Sequence, residues 1–118
     1  MEIQQKIQIL KLRDSNVNHL QIEYSGGGDD GMIDEIDAFD KEGNLLENAT
    51  SLINDSLYEY FYYKLNDAIE YDWINNAGGS GIATFYLENN KFIITHDQMI
   101  SQNVEYNLEL EDVPSIIA

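Results

Sequence analysis

A β-hairpin is the plainest structural signal in the chain, and it lies in residues 82–95, which read IATFYLENNKFIIT. Two runs rich in β-branched and aromatic residues, 82–87 and 91–95, flank the polar segment Glu88-Asn89-Asn90. Short apolar runs joined by a few turn-forming residues are typical of antiparallel strands. The stretch therefore predicts two adjacent strands of an antiparallel sheet.

A further strand is predicted after the hairpin, because residues 104–111 alternate strictly between apolar and polar side chains. The apolar set is Val104, Tyr106, Leu108 and Leu110. The polar set is Glu105, Asn107, Glu109 and Glu111. A period of two is typical of a half-buried strand, so this strand is expected to have an acidic outer face.

Two more strands are predicted before the hairpin. Residues 20–24 read LQIEY and alternate between apolar and polar side chains, which indicates a half-buried strand. Residues 32–39 follow, but Ile33, Ile36 and Phe39 are spaced by three rather than by two. A β-bulge, which inserts one extra residue into a strand, would repair that register.

The first thirteen residues favour a short helix, because Ile3, Ile7 and Leu10 recur at helical spacing. A strand is the alternative, since residues 7–12 also contain an alternating pattern.

Residues 50–70 predict the clearest helix of the chain. Thr50 or Ser51 can cap its start with a side-chain oxygen. One face is lined by apolar residues at helical spacing, namely Leu57, Phe61, Leu65, Ala68 and Ile69. Five aromatic residues lie within positions 58–63, so the helix is either covered on several sides or forms an interface, such as that of a homodimer.

The order of elements is helix, two strands, helix and three strands. This order predicts a single α+β domain over residues 1–118, with a largely antiparallel sheet of about five strands and two helices packed on one face. Residues 1–13 are its N-terminal helix and residues 111–118 form a tail. The chain is long enough for one domain with a real core, since 43% of its 118 residues are apolar.

Two glycine-rich stretches, 26–31 and 73–81, are predicted to be loops. Backbone N–H groups in such loops can hold an anion. Asp29 and Asp30 would repel one in the first loop, and no acid lies between Asp72 and Glu88 around the second. Tight turns or close backbone packing explain both stretches equally well.

The charge is the most informative feature of the composition. The chain has 22 Asp and Glu against 6 Lys and Arg, which gives a net charge of −16. Such a protein is repelled by nucleic acid and by anionic membranes. A small soluble domain needs a net charge of only about 2–8 for solubility, so the excess points to a role in binding.

Enzyme chemistry finds little support in the sequence. The chain has no cysteine, so thiolate catalysis and disulfides are excluded. It has no nucleophile-elbow or phosphate-loop motif, and its histidines, His19 and His96, stand in no recognisable catalytic pattern. We therefore expect no enzyme activity and no cofactor.

A metal site has weak support. Seven acids lie between positions 29 and 42, but alignment of the calcium-loop pattern on Gly43 puts alanines at its first and last ligand positions. A divalent cation held by Asp29 and Asp30 remains an alternative.

The location is predicted from two features. No run of about 18 apolar residues occurs, and the N-terminal segment lacks the apolar stretch and small-residue cleavage site of a secretory signal. The expected location is the cytoplasm of a bacterial host cell.

Residues 22–39 (IEYSGGGDDGMIDEIDAF) and 73–85 (WINNAGGSGIATF) carry a family resemblance. Together they resemble a family of small acidic proteins found on phages, plasmids and integrative elements. The resemblance covers roughly residues 17–110, and Ala77 stands where members often have an acid. It implies a mobile-element origin and carries no activity with it.

The acidic side chains predict the function. Carboxylates two apart on a strand share a face about 6.6 Å apart, roughly the rise of two nucleotides. The chain is therefore expected to be a non-enzymatic inhibitor that blocks the basic nucleic-acid-binding surface of a host defence protein, in the manner of anti-restriction or anti-CRISPR proteins. The alternatives are an immunity protein for a basic toxin, and a divalent-metal or small-ligand-binding domain. The expected contact residues are Asp29, Asp30, Asp34, Glu35, Asp37, Glu105, Glu109 and Glu111.

Overall fold

A computed structural model describes residues 2–27, 30–69, 79–98, 103–110 and 113. All five predicted strands are present and form one antiparallel sheet in the order β2-β1-β3-β4-β5. The strands are β1 (His19–Gly27), β2 (Asp30–Phe39), β3 (Gly79–Tyr86), β4 (Lys91–Gln98) and β5 (Asn103–Glu109). The predicted α+β fold class is confirmed.

Helices cover one face of the sheet. They are α1 (Ile3–Asp14), the five-residue α2 (Glu47–Ser51) and α3 (Asp55–Ala68). The core lies between them and the sheet, and its fully buried side chains include Leu12 of α1, Phe61 of α3 and Phe85 of β3. The short α2 was not predicted from the sequence.

The main helix begins later than the sequence suggested. The predicted caps Thr50 and Ser51 lie in α2, and Asn54 caps α3 by accepting hydrogen bonds from the backbone N–H groups of Ser56 and Leu57. An asparagine can replace serine or threonine in this role because its side-chain carbonyl reaches the same N–H groups.

The predicted β-bulge is present in β2. The pairing of β1 with β2 shifts between Glu23↔Glu35 and Tyr24↔Ile33, so Asp34 is the extra residue. The shift lets Ile33 and Ile36 both face the core despite their spacing of three, and both are buried.

The glycine-rich loop predictions are wrong for the residues that the structure describes. Gly26, Gly27 and Gly31 lie in the β1–β2 hairpin and pair across it, and Gly79 and Gly81 belong to β3. Glycine weakens a strand but does not prevent ladder hydrogen bonds, and the described glycines pair with neighbouring strands. Residues 28–29 and 70–78, including Trp73, lie outside the described residues.

The predicted N-terminal helix is present as α1, but the aliphatic residues whose spacing indicated it are not the ones it buries. Gln5, Gln8, Ile9 and Leu12 are its buried residues, whereas Ile3, Ile7 and Leu10 are exposed. The two glutamines are buried because they hydrogen-bond backbone carbonyls of the first turn of α3 and of the connection between α2 and α3. Gln5 Nε2 donates to the carbonyl of Ser56, and Gln8 Nε2 donates to that of Leu52.

The aromatic cluster of α3 is mostly packed within the domain. Tyr60 and Phe61 are buried, and Tyr58 and Tyr62 are half-buried against the core. Tyr63 alone among these five is exposed, at 58%. Of the two interpretations of this cluster, coverage within the domain describes four of its five members.

The outer edge of β2 is covered by the helices along its second half. Thr50 Oγ1 accepts from the N–H of Ala38 at 2.9 Å, and the Tyr58 hydroxyl accepts from the N–H of Ile36 at 3.2 Å. These bonds satisfy backbone N–H groups that an edge strand would otherwise present to another chain. In the described part of the chain, no helix is long and apolar enough to cross a membrane.

Candidate functional site: an acidic sheet face

The sheet face opposite the helices, which we call the open face, carries the candidate site. Along each strand its side chains alternate with buried core residues, and they are exposed or half-buried. The described open-face side chains, taken in the order of the strands in the sheet, are Met32, Glu35, Asp37 and Phe39 of β2; His19, Gln21, Glu23 and Ser25 of β1; Ser80, Ile82, Thr84 and Tyr86 of β3; Lys91, Ile93 and Thr95 of β4; and Glu105, Asn107 and Glu109 of β5.

Four carboxylates at the β1–β2 end of this face form what we call the acid cluster: Glu23, Asp34, Glu35 and Asp37. Glu23 lies directly opposite Glu35 in the strand pairing, and Asp37 is two residues from Glu35 on the same face. Asp37, desolvation and Glu23, in that order, raise the pKa of Glu35 above its ordinary value. The carboxylates are therefore close enough to repel one another.

Asp34 joins the cluster because of the bulge. In a regular strand its side chain would point away from the face that holds Glu35. Here Asp34 Oδ2 accepts a hydrogen bond of 2.8 Å from the Ser25 hydroxyl, and Ser25 is an open-face residue of β1. The irregular register thus adds one negative charge to the face.

A second acidic row lies at the other edge of the same face. Glu105 and Glu109 project from β5, with Asn107 between them. Because β2 and β5 are the two outer strands, four strand spacings separate the rows, or about 19 Å. Lys91 lies opposite Glu109 in the pairing and partly offsets its charge, whereas Glu105 faces Thr95.

The described open-face side chains of β3, together with Ile93 and Thr95 of β4, are uncharged and separate the two acidic regions. Ile82 is 43% exposed, and Thr84 and Ile93 pair beside it as half-buried residues. The open face therefore has negative margins and a weakly apolar centre. Among the described side chains of this centre there is no carboxylate that a partner surface would have to desolvate.

An aromatic row crosses one end of the open face. The His19 ring stacks on Phe39 at a centroid distance of 5.3 Å and lies 5.6 Å from the Tyr86 ring. Burial lowers the pKa of His19, while the charge of Asp40 acts in the opposite direction. The imidazole is thus neutral at pH 7 and adds no positive charge to the face.

The structure brings five of the eight predicted contact residues to the open face: Asp34, Glu35, Asp37, Glu105 and Glu109. Asp29 and Glu111 lie outside the described residues. Asp30 begins β2, but its side chain is outside the description. Glu23 is an open-face acid that was not among the predicted contacts, although its alternation with Ile22 and Tyr24 already indicated the outer face of β1.

The histidine of β4 is not part of this site. His96 is fully buried on the core face, where Nδ1 hydrogen-bonds the Tyr24 hydroxyl. The side chain of its chain neighbour Asp97 lies outside the description. Among the described residues, no group of three or more His, Asp or Glu side chains could hold a metal ion. The cation site predicted at Asp29 and Asp30 lies outside the described side chains.

Comparison of the chain with protein-family models, with curated proteins and with solved structures gave no match.

Proposed function

We propose that the chain is a non-enzymatic acidic binding protein of a mobile element. It acts in the cytoplasm of the bacterial host and blocks the basic nucleic-acid-binding surface of a host defence protein. The open face is the contact surface. Asp34, Glu35 and Asp37 are the principal contacts, joined by Glu23, and Glu105 and Glu109 form the second contact.

The observation that supports this proposal most strongly is the pairing of Glu23 with Glu35. Like charges directly opposite each other on a sheet face are destabilising. Asp37 adds a third carboxylate beside them. A basic partner would relieve this repulsion on binding, so part of the unfavourable energy of the free protein becomes a gain in the complex.

The arrangement of charges on the open face is complementary to the nucleic-acid-binding surface of a partner protein. Such surfaces carry lysine and arginine side chains that contact phosphates, and they are complementary to lines of negative charge. The open face presents two acidic margins about 19 Å apart, with the uncharged side chains Ile82, Thr84 and Ile93 between them. A protein with this face competes with nucleic acid for the same lysine and arginine side chains of the partner.

The aromatic row gives the open face a means of binding a partner that does not depend on charge. Tyr86 and His19 are half-buried, so part of each ring is open to contact. Aromatic groups supply much of the energy of many protein interfaces, and arginine side chains stack on them. Binding is thus expected to keep a salt-independent part when the carboxylates are screened.

The experiment is capture of partners from a bacterial host lysate by the immobilised protein at 50 mM and at 500 mM salt. The proposal expects a basic, nucleic-acid-binding protein that is retained at low salt, weakly retained at high salt, and displaced by added duplex DNA. A captured protein that binds DNA and the chain at the same time would contradict blocking. A toxin as the captured protein would favour the immunity function instead.

A further inference from the structure

Helix α1 buries two glutamines against the domain and exposes three aliphatic side chains on its outer side, which is the reverse of the usual arrangement. Ile3, Ile7 and Leu10 are 73%, 47% and 46% exposed, respectively. At 100° per residue they centre on the side of the helix opposite to the buried set, which includes Gln5 and Gln8. Three large aliphatic side chains in one row on the outside of a helix are typical of an interaction surface.

Hydrogen bonds of Gln5 and Gln8 hold α1 in this orientation. The N–H of Asn54 donates to Gln8 Oε1 at 3.3 Å, and Gln8 donates in return to the Leu52 carbonyl. Gln5 Nε2 donates to the Ser56 carbonyl at 3.0 Å. Rotation of α1 to bury the isoleucines would break these bonds and leave buried polar groups behind.

We propose that this apolar stripe, Ile3, Ile7 and Leu10, is the contact surface of a homodimer in which the α1 helices of two copies pack antiparallel about a twofold axis near Ile7. This proposal does not rest on the function assigned to the open face. It also differs from an interface on α3, where Tyr60 and Phe61 are already buried in the domain.

Charge favours a second copy as the occupant of the stripe. Residues 2–13 carry Glu2, Lys6, Lys11 and Arg13, a net charge of +2, while the whole chain has −16. Two such proteins repel each other almost everywhere. The basic helix is the part of the surface where approach of a second copy is opposed least.

The positions along α1 select one antiparallel register. When Ile3 faces Leu10 of the second copy, the two position numbers sum to 13, and the twofold axis repeats this apolar contact at the other end of the interface. A register displaced by one turn, with a sum of 17, places Ile3 opposite Asp14 of the second copy, so it is disfavoured.

The dimer is expected to be weak. The twelve residues of α1 span about 18 Å, and the stripe covers only part of that length. Stable interfaces bury about 800 Å² on each partner, which is more than three aliphatic side chains provide. Since α1 lies in the helical layer, the dimer leaves both open faces uncovered and pointing away from the contact.

The absence of cysteine makes cross-linking a direct test, because one introduced thiol is the only one in the protein. Ile7→Cys should form disulfide-linked dimers under mild oxidation, since disulfides need Cα atoms within about 7 Å. The matched control is Leu52→Cys, an equally exposed apolar position that lies off the stripe. An Ile3→Cys variant mixed with a Leu10→Cys variant should cross-link to each other, and Ile3→Cys alone should not.

Sedimentation of the protein as it stands supplies the second readout. Between 10 and 300 µM protein, the mean mass should rise from 13.5 kDa towards 27 kDa, and more strongly at 500 mM than at 50 mM salt because salt screens the repulsion between the bodies. Ile7→Glu should weaken association at least tenfold while Leu52→Glu leaves it unchanged. A protein that stays at 13.5 kDa throughout, or equal cross-linking of the cysteine variants at positions 7 and 52, would overturn the proposal.

Discussion

The hydroxyl of Tyr24 lies 2.6 Å from Nδ1 of His96, and the two residues are on strands that are not neighbours. Strand β3 runs between them, and its residue at this level is Gly81, which pairs with Tyr24 on one side and with His96 on the other. The rings of Tyr24 and His96 are nearly parallel, with an angle of 3°. The missing side chain at Gly81 is what lets Tyr24 cross the strand.

Gly81→Ala is therefore expected to destabilise the protein. A Cβ atom there would lie 2.6 Å from the Tyr24 hydroxyl oxygen and in contact with the backbone carbonyl of Thr95, which cannot easily move. We expect a loss of about 1–3 kcal/mol in the free energy of unfolding, as for other overpacked cores. Urea denaturation measures it. Ser80→Ala, one position along the strand and on the open face, should change stability by less than about 0.5 kcal/mol.

Asn90 is a second position where backbone and side chain are both constrained. It is buried, its φ is +59°, and its side chain accepts from Arg13 and donates to the carbonyl of Val113. Asn90→Ala should cost about 2–4 kcal/mol, because it removes both bonds and places alanine in a left-handed conformation. Asn90→Gly should cost about 1 kcal/mol less, since glycine adopts that conformation freely. Equal losses in the two variants would show that the backbone conformation contributes nothing.

The raised pKa of Glu35 predicts how stability depends on pH. Because the pKa is higher in the folded state, the folded protein binds this proton more tightly, and stability falls as pH rises through the folded pKa. Glu35→Gln should therefore raise the melting midpoint at pH 7 and make little difference once the pH is below the ordinary carboxyl pKa. Glu47→Gln removes an exposed acid from a different surface and serves as the control. A lower midpoint at pH 7 for Glu35→Gln would contradict repulsion within the acid cluster.

The pKa of Asp40 is shifted in the opposite direction to that of Glu35, so its effect on the pH dependence of stability is also opposite. Hydrogen bonds from the backbone N–H groups of Asn44 and Glu42 to its carboxylate lower its pKa, Asn44 acting most strongly. Its contribution is present above the unfolded pKa and is lost as pH falls through the folded pKa. Asp40→Ala should thus lower the melting midpoint at pH 7 and bring it closer to that of the unmutated protein in acid. A midpoint difference that grows as the pH falls would contradict this role of the carboxylate.

The strands were predictable from the sequence because their alternation reflects burial on one face only. Even the bulge followed from the spacing of Ile33 and Ile36, which cannot both face the core of a regular strand. The buried face of α1 was not predictable in the same way. Aliphatic periodicity predicts the apolar side of a helix, but here Gln5 and Gln8 bind carbonyls more than forty positions along the chain. Only the tertiary fold supplies those partners.

The candidate site was partly predictable for the same reason. The acids of β2 and β5 follow from alternation, but their position on one common face depends on the strand order, which places them at opposite edges. The aromatic row of Phe39, His19 and Tyr86 combines residues that are distant in sequence and meet only through the pairing of three strands. No local pattern marks such a set.

The most direct measurement of the proposed function compares two triple variants that have the same net charge. Glu23→Gln, Glu35→Gln and Asp37→Asn neutralise three acids of the open face, whereas Glu47→Gln, Glu59→Gln and Asp67→Asn neutralise three exposed acids of α2 and α3. The dissociation constant of the captured host partner is measured for both at salt concentrations from 50 to 500 mM. The open-face variant should bind at least tenfold more weakly at 50 mM and lose most of the salt dependence, while the helix variant keeps both. Equal weakening by the two variants would show that only total charge matters and would contradict a binding site on the open face.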